Sequence, residues 1–146
     1  MKRFLILSLV VLALSFAAFA KNPKQQVVQT LVQSAMADFG LTGKWAADCS
    51  SADSTTFTRE GGLVYAYVVF GSAGRNILVY SSAERIDDAH LRVVVSDGDV
   101  ALTLVILRRS DGRVQTVSSI SSDGNVYFKD GLLSDGSEVP SLERCQ

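Results

Sequence analysis

His90 and the carboxylates beside it are the first side chains to test for catalytic chemistry. A serine triad needs a histidine between a serine and an orienting carboxylate, and Asp87 or Asp88 could supply that carboxylate. Residues 86–90 resemble a hairpin connection, however, where acidic side chains are simply solvated. The sequence also lacks the Gly-x-Ser-x-Gly pattern that presents a serine nucleophile on a sharp turn. We therefore predict no catalytic residues and no enzymatic activity.

Aspartates also recur in four Ser-Asp-Gly triplets, at residues 96–98, 110–112, 122–124 and 134–136. Asp-Gly favours tight hairpins because glycine readily adopts positive φ. Asp97 and Asp99 share one such turn, and turn formation explains both better than paired-carboxylate catalysis does. The triplets lack the alternating oxygen ligands of a calcium loop, and two thiols with one histidine are too few for a metal site. We expect neither a metal nor another cofactor.

The two cysteines, Cys49 and Cys145, are far apart in the sequence. A redox role would favour a close pair such as Cys-x-x-Cys, whereas two cysteines in an exported chain favour one structural bridge. Closing a loop of roughly 100 residues stabilises a fold by about 4–5 kcal/mol in the chain-entropy model. We predict a Cys49–Cys145 disulfide.

The first 20 residues have the composition of an export signal. Lys2 and Arg3 precede an apolar run, and residues 18–20 (Ala-Phe-Ala) form a cleavage site before Lys21. Cleavage would leave 126 residues with a formal charge of −3 in place of −1, which offers no bulk charge for nucleic acid or an anionic membrane. That length suits one domain. We expect a bacterial periplasmic or extracellular protein, monomeric or homodimeric, with no membrane contact once the signal is removed.

Residues 21–40 have the pattern of an amphipathic helix. Asn22 can cap it, Pro23 suits the first helical position, and Gly40 can end it. Glutamines, Gln29 among them, fall on the face opposite the apolar stripe of Val27, Val28, Leu31, Val32, Ala35, Met36 and Phe39. We predict that this stripe packs on the chain's own domain, with docking to a partner as the alternative.

From Gly43 onward the hydrophobic period changes to two. This predicts eight strands, at 44–49, 55–60, 63–70, 76–83, 90–96, 100–109, 113–120 and 125–129. The short connections leave no room for crossover helices, so we predict an all-β, antiparallel up-and-down meander, closed or nearly closed into a small barrel over 41–146. So small a barrel argues against a large ligand. Residues 100–107 are apolar on both faces, which predicts that the helix or a second subunit covers their outer face.

Gly43-Lys44-Trp45 stands at the start of the first predicted strand. It is similar to the Gly-x-Trp signature of lipocalins and related barrels, in which the tryptophan packs at the closed end. The resemblance implies a barrel that holds a small apolar ligand, with a basic residue near the C-terminus, here Arg144, packed on Trp45. The Thr-Asp-Tyr-type second motif of lipocalins is absent, and their flanking helix follows the barrel. The chain also resembles bacterial periplasmic metalloprotease inhibitors and small exported bacterial proteins with one disulfide.

Four aromatic side chains are the candidate ligand contacts: Trp45, Tyr65, Tyr67 and Tyr80. An apolar ring with a polar tip suits a small cavity that needs one directing hydrogen bond, although the same residues could fill a solid core. We predict an exported, non-enzymatic binding protein for a small apolar ligand. The alternatives are a protein-binding module, such as a periplasmic protease inhibitor, and a purely structural or stress-related secreted protein.

Overall fold

The computed structural model describes residues 22–97 and 99–146, without the side chain of Asp97. The predicted signal peptide therefore lies outside the described residues. Of Asp97 and Asp99, which share a predicted turn, the side chain of Asp97 also lies outside them. Within them the chain forms one helix and ten strands: α1 Pro23–Asp38, β1 Gly43–Ala46, β2 Ser54–Glu60, β3 Leu63–Val69, β4 Arg75–Arg85, β5 His90–Asp97, β6 Val100–Arg108, β7 Val114–Ser121, β8 Val126–Lys129, β9 Leu132–Leu133 and β10 Glu143–Arg144.

The ends of α1 follow from its sequence. The Asn22 side chain accepts a hydrogen bond from the Lys24 amide at 3.1 Å, and Pro23 is the first helical residue. After the helix Gly40 takes φ +75°, a left-handed conformation that glycine adopts without strain. The predicted boundaries of the helix are therefore confirmed to within a residue or two.

The buried face of α1 differs from the predicted stripe. Val32 and Met36 are buried as expected, but Gln29 is buried beside them. Val27 and Leu31 are 60% and 64% exposed, and Val28 is also exposed. The helix is rotated relative to the expectation because the Gln29 amide hydrogen-bonds to backbone groups of the sheet, which makes its burial favourable.

The strands form one antiparallel sheet in the order β10-β1-β2-β3-β4-β5-β6-β7-β8-β9. The predicted antiparallel meander is confirmed, but the prediction that eight strands close, or nearly close, into a barrel is wrong. The sheet has ten strands and is open, a curled half-barrel whose edge strands β9 and β10 do not pair with each other. The two additional strands are only two residues long and lie in the segment after Lys129, where no hydrophobic alternation marks a strand.

The C-terminal segment bridges the open side of the sheet at one end. β10 pairs with β1, with Arg144 opposite Trp45. Just before it, Leu142 exchanges two backbone hydrogen bonds with Val114 of β7, at 2.9 and 2.7 Å. Cys145 then forms a disulfide with Cys49, as predicted, with the two Cα atoms 5.5 Å apart. One short segment therefore connects β1 to β7.

The core lies on the inner, concave face of the sheet. Directly opposed residues of antiparallel strands share a face, so Val95 of β5 lies between Tyr80 of β4 and Leu102 of β6. The helix packs on this same core, mainly against β4 and β3, and fills one end of the half-barrel. The sequence predicted that the helix or a second subunit covers the outer face of β6. The helix lies instead on the inner face. The outer face of β6 is only partly buried, at Ala101, Thr103, Val105 and Leu107.

Candidate functional site

A cavity of about 720 Å³ occupies the part of the inner face that lies away from the helix. Strands β2, β3, β4, β6, β7, β8 and β9 line it, together with Leu142 of the C-terminal segment. Its walls are mostly apolar, with hydroxyl groups between the aliphatic and aromatic side chains and no charged side chain among the described residues. Pockets that hold drug-sized molecules have volumes of roughly 300–1,000 Å³. The cavity is therefore large enough for one such molecule.

The period of two along each strand determines which side chains line this cavity. On β3, Ala66 and Val68 face inward, and on β6, Leu102, Leu104 and Ile106 do so. Antiparallel pairing places such residues side by side across the sheet, so apolar residues on neighbouring strands merge into a continuous apolar wall.

Tyr80 is one of the four predicted ligand contacts and lines the cavity. It is 2% exposed, and its ring packs edge-on against Phe57 with the centroids 6.1 Å apart. Burial raises the pKa of the Tyr80 hydroxyl above its ordinary value, because a phenolate would lose its hydration. Tyr80 thus presents a neutral, protonated hydroxyl.

Tyr65 and Tyr67 lie on the opposite, outer face of β3, since they alternate with Val64, Ala66 and Val68. Their rings are perpendicular, with the centroids 4.9 Å apart. The Tyr65 hydroxyl donates to the Glu60 carboxylate, and burial, followed by this hydrogen bond, raises the pKa of Tyr65. These two side chains stabilise the outer surface and do not face the cavity.

Trp45 is buried where the helix joins the sheet and is not among the residues that line the cavity. Its indole N–H donates to the Leu41 carbonyl at 2.8 Å. The Arg144 guanidinium lies over the ring, 5.3 Å from its centroid, and donates to the carbonyls of Gly40 and Thr42. This is the tryptophan–arginine packing that the Gly-x-Trp resemblance implies.

Sequence reasoning missed the hydroxyl-bearing residues of the cavity, among them Thr116 and Ser119 of β7. They belong to a correctly predicted strand, so its inward alternation could have indicated them. A bulge at Val117 interrupts that alternation. Val105 of β6 is paired with Ser118, and the next residue, Ile106, is paired with Thr116, so Val117 has no partner on β6. The strict period of two therefore fails at the position where it would have been most useful.

His90 is the first residue of β5, partly exposed and not among the residues that line the cavity. Its Nδ1 is 2.9 Å from both carboxylate oxygens of Asp87. Oδ1 of Asp87 also accepts hydrogen bonds from the backbone amides of Ala89 and His90. The Ala89 amide first, and then the His90 ring, hold the pKa of Asp87 below its ordinary range. Asp88 pairs instead with Arg85 at 2.9 Å. In the described residues these contacts shape a turn and include no serine.

No family model, no curated protein and no solved structure matches this chain. The fold is a curled antiparallel half-barrel with one disulfide, which is compatible with a small β-barrel. The described part of the chain also contains no helix that is both long and apolar enough to cross a bilayer.

Proposed function

We propose that this protein is a non-enzymatic binding protein that holds a small apolar ligand in the cavity of the half-barrel, as in a lipocalin-like barrel. One observation supports the proposal, a cavity of about 720 Å³ whose walls are apolar and free of charged side chains in the described residues. Burying apolar surface in such a space is favourable by roughly 25 cal/mol per Å².

The open side of the sheet gives a ligand a route into the cavity. Phe70, Val100 and Tyr127 line the cavity and are also 55%, 37% and 49% exposed, so they stand at its entrance. Large apolar side chains in contact with water at the rim of a concave site are typical of binding sites.

The proposed location is outside the cytoplasm. The predicted signal peptide supports it, and so does the Cys49–Cys145 bridge, since disulfides persist in oxidising compartments. Expression of the full chain with mass spectrometry of the exported product tests this part of the proposal. An N-terminus at Lys21 is the expected result, and an uncleaved chain would contradict it.

Ligand binding can be tested with N-phenyl-1-naphthylamine, an apolar dye that fluoresces when it leaves water. We expect saturable fluorescence with the purified protein. Leu78→Trp would place a bulky ring in the cavity wall and should weaken dye binding at least about tenfold, a loss of about 1.4 kcal/mol. Ile77→Trp is the matched control, because Ile77 precedes Leu78 on β4, is 45% exposed and faces outward. Equal affinity of the two variants, or no saturable binding to the wild-type protein, would overturn the proposal.

The exposed apolar face of α1 favours a second candidate function, the binding of a protein. Val27, Val28 and Leu31 lie next to one another on the helix and are exposed, while the opposite face holds the helix on the sheet. The partner that we propose is a second copy of the chain, because dimer formation can be measured with the purified protein alone. Sedimentation should give a dimer that Leu31→Glu converts to a monomer, and a wild-type monomer at all concentrations would rule out this homodimer.

A further inference from the structure

Four polar side chains are buried in the described part of the chain: Gln29, Gln115, Ser119 and Ser121. Buried polar groups are normally hydrogen-bonded, because an unpaired one costs about 1–3 kcal/mol. Gln29 and Gln115 donate to backbone carbonyls at 2.9 and 2.7 Å. Ser121 accepts from the Asn125 amide at 3.1 Å and donates to Asp123. Ser119 differs from these three, since its side chain has no hydrogen bond within the described residues. The fully buried side-chain atom without a partner in the described residues is Nη2 of Arg108, so the Ser119 hydroxyl keeps some accessible surface, as a group in a cavity wall does.

Ser119 lies in the wall of the cavity. It is 2% exposed and stands on β7 between Leu104 of β6 and Phe128 of β8, both of which line the same space. Thr116, the cavity-lining residue on the other side of the bulge, also has no side-chain hydrogen bond within the described chain. The strand therefore presents two hydroxyl groups to a cavity whose other lining residues are mostly apolar.

The composition of the walls restricts the chemistry of a ligand group that could reach these hydroxyls. Transferring an ionised group out of water without a countercharge is far more costly than transferring a neutral one. Among the described residues that line the cavity there is no Asp, Glu, Lys, Arg or His, and the Tyr80 hydroxyl remains neutral. A hydroxyl or carbonyl oxygen can pair with Ser119 at no such cost.

Building on the proposed function, we propose that the ligand is a neutral amphiphile, an apolar chain or ring system with a hydroxyl or ester oxygen that hydrogen-bonds to Ser119. Long-chain alcohols and esters have this chemistry. Ionised fatty acids of the same length do not, because their carboxylate would be buried without a cationic partner.

Competition at pH 8 between the bound dye and three probes of equal chain length tests this ligand class: 1-dodecanol, methyl dodecanoate and dodecanoate. We expect the alcohol and the ester to displace the dye at a concentration at least about tenfold lower than dodecanoate. Ser119→Ala should weaken binding of 1-dodecanol about 3- to 10-fold through the loss of one hydrogen bond. Ser118→Ala, the neighbouring serine opposite Val105 on the outer face, should leave it unchanged.

The outcomes separate the two proposals. Absence of saturable dye binding to the wild-type protein would overturn the proposed function and this inference together. Saturable dye binding with dodecanoate competing as well as the alcohol, or with Ser119→Ala equal to the wild type, would overturn the ligand class alone. The comparison among the three probes uses only the wild-type protein, so it stands even if a variant folds poorly.

Discussion

Replacing Gln29 with leucine would test how the helix is fastened to the sheet. The pairing of β3 with β4 ends at Tyr65 opposite Val79, so Val64 and Tyr80 are the next pair along the two strands. The Gln29 side chain enters at that point. Its Oε1 accepts from the Val64 amide at 2.6 Å, and its Nε2 donates to the Tyr80 carbonyl at 2.9 Å. The side-chain amide therefore takes the place of a missing backbone rung.

Leucine has a volume close to that of glutamine but cannot form either hydrogen bond. The Val64 amide and the Tyr80 carbonyl would stay buried without partners, at about 1–3 kcal/mol each. We expect Gln29→Leu to lower the free energy of unfolding by about 2–6 kcal/mol, the sum of these two costs and a large part of the stability of a small domain.

Gln29→Glu gives a second, pH-dependent readout. An ionised carboxylate can accept from Val64 but cannot donate to the Tyr80 carbonyl, so burial and the carbonyl should raise the pKa of the new acid. Because its folded pKa is raised, the variant should be most stable below the unfolded pKa of about 4.3 and lose stability, relative to the wild type, as the pH rises through the folded pKa.

Urea unfolding, followed by the fluorescence of the buried Trp45, measures these changes. Gln33→Leu is the matched control, because Gln33 is an exposed residue of the same helix whose hydrogen-bond partner in the described residues is the exposed Arg59, which donates to it at 2.6 Å. It should cost about 0.5 kcal/mol or less. Two results would contradict the role of Gln29 in linking the Val64 amide to the Tyr80 carbonyl. One is a loss of unfolding free energy in Gln29→Leu no larger than in Gln33→Leu, and the other is a stability of Gln29→Glu that does not depend on pH.

Three further predictions follow from contacts at the ends of the sheet. Joint Cys49→Ser and Cys145→Ser substitution should lower the free energy of unfolding by about 4–5 kcal/mol, since the bridge spans 96 residues, and an unchanged urea midpoint would contradict this. Arg144→Ala should cost about 1–3 kcal/mol and alter the emission of Trp45, because it removes the stacked cation and its carbonyl contacts; an unchanged emission spectrum would count against it. The Ser121 hydroxyl first, and then the Asn125 amide, lower the folded pKa of Asp123, so this carboxylate stabilises the fold above about pH 3.9 and stops doing so as the pH falls through its folded pKa. Asp123→Asn should make acid unfolding less steep, and an identical acid transition would contradict that role.

Local signals in the sequence predicted the parts of the fold that depend on local chemistry. The cap at Asn22 and the Ser-Asp-Gly turns are of this kind. At Gly112, Gly124 and Gly136 the turn glycine has φ between 82° and 89°. This is the positive φ that a tight hairpin turn requires, so the Ser-Asp-Gly triplets predict hairpins correctly at these three positions. The pairing of the two cysteines was also predictable, since only one pairing exists within the chain.

The rotation of the helix and the openness of the sheet could not be predicted in this way, because both depend on distant pairings. A hydrophobic pattern assigns glutamine to the surface, but Gln29 is satisfied by backbone groups 35 and 51 residues away. Likewise, β9 and β10 are too short to show a period of two, and their pairing depends on where the C-terminal segment crosses the sheet. Of the tyrosines predicted to contact a ligand, Tyr80 lines the cavity, whereas Tyr65 and Tyr67 face outward. Which face of a strand points inward also depends on the distant pairings of the sheet.

The open sheet also changes the argument about ligand size. A closed eight-stranded barrel of this length would leave little free volume, but an open half-barrel with a helix at one end leaves about 720 Å³. Leu142 forms part of the cavity wall, held by its two hydrogen bonds to Val114 and by the disulfide three residues further on. The bridge therefore stabilises the fold and holds one wall of the cavity in place. Loss of stability and loss of dye affinity should consequently appear together in the variant without the disulfide, even at temperatures where that variant is folded.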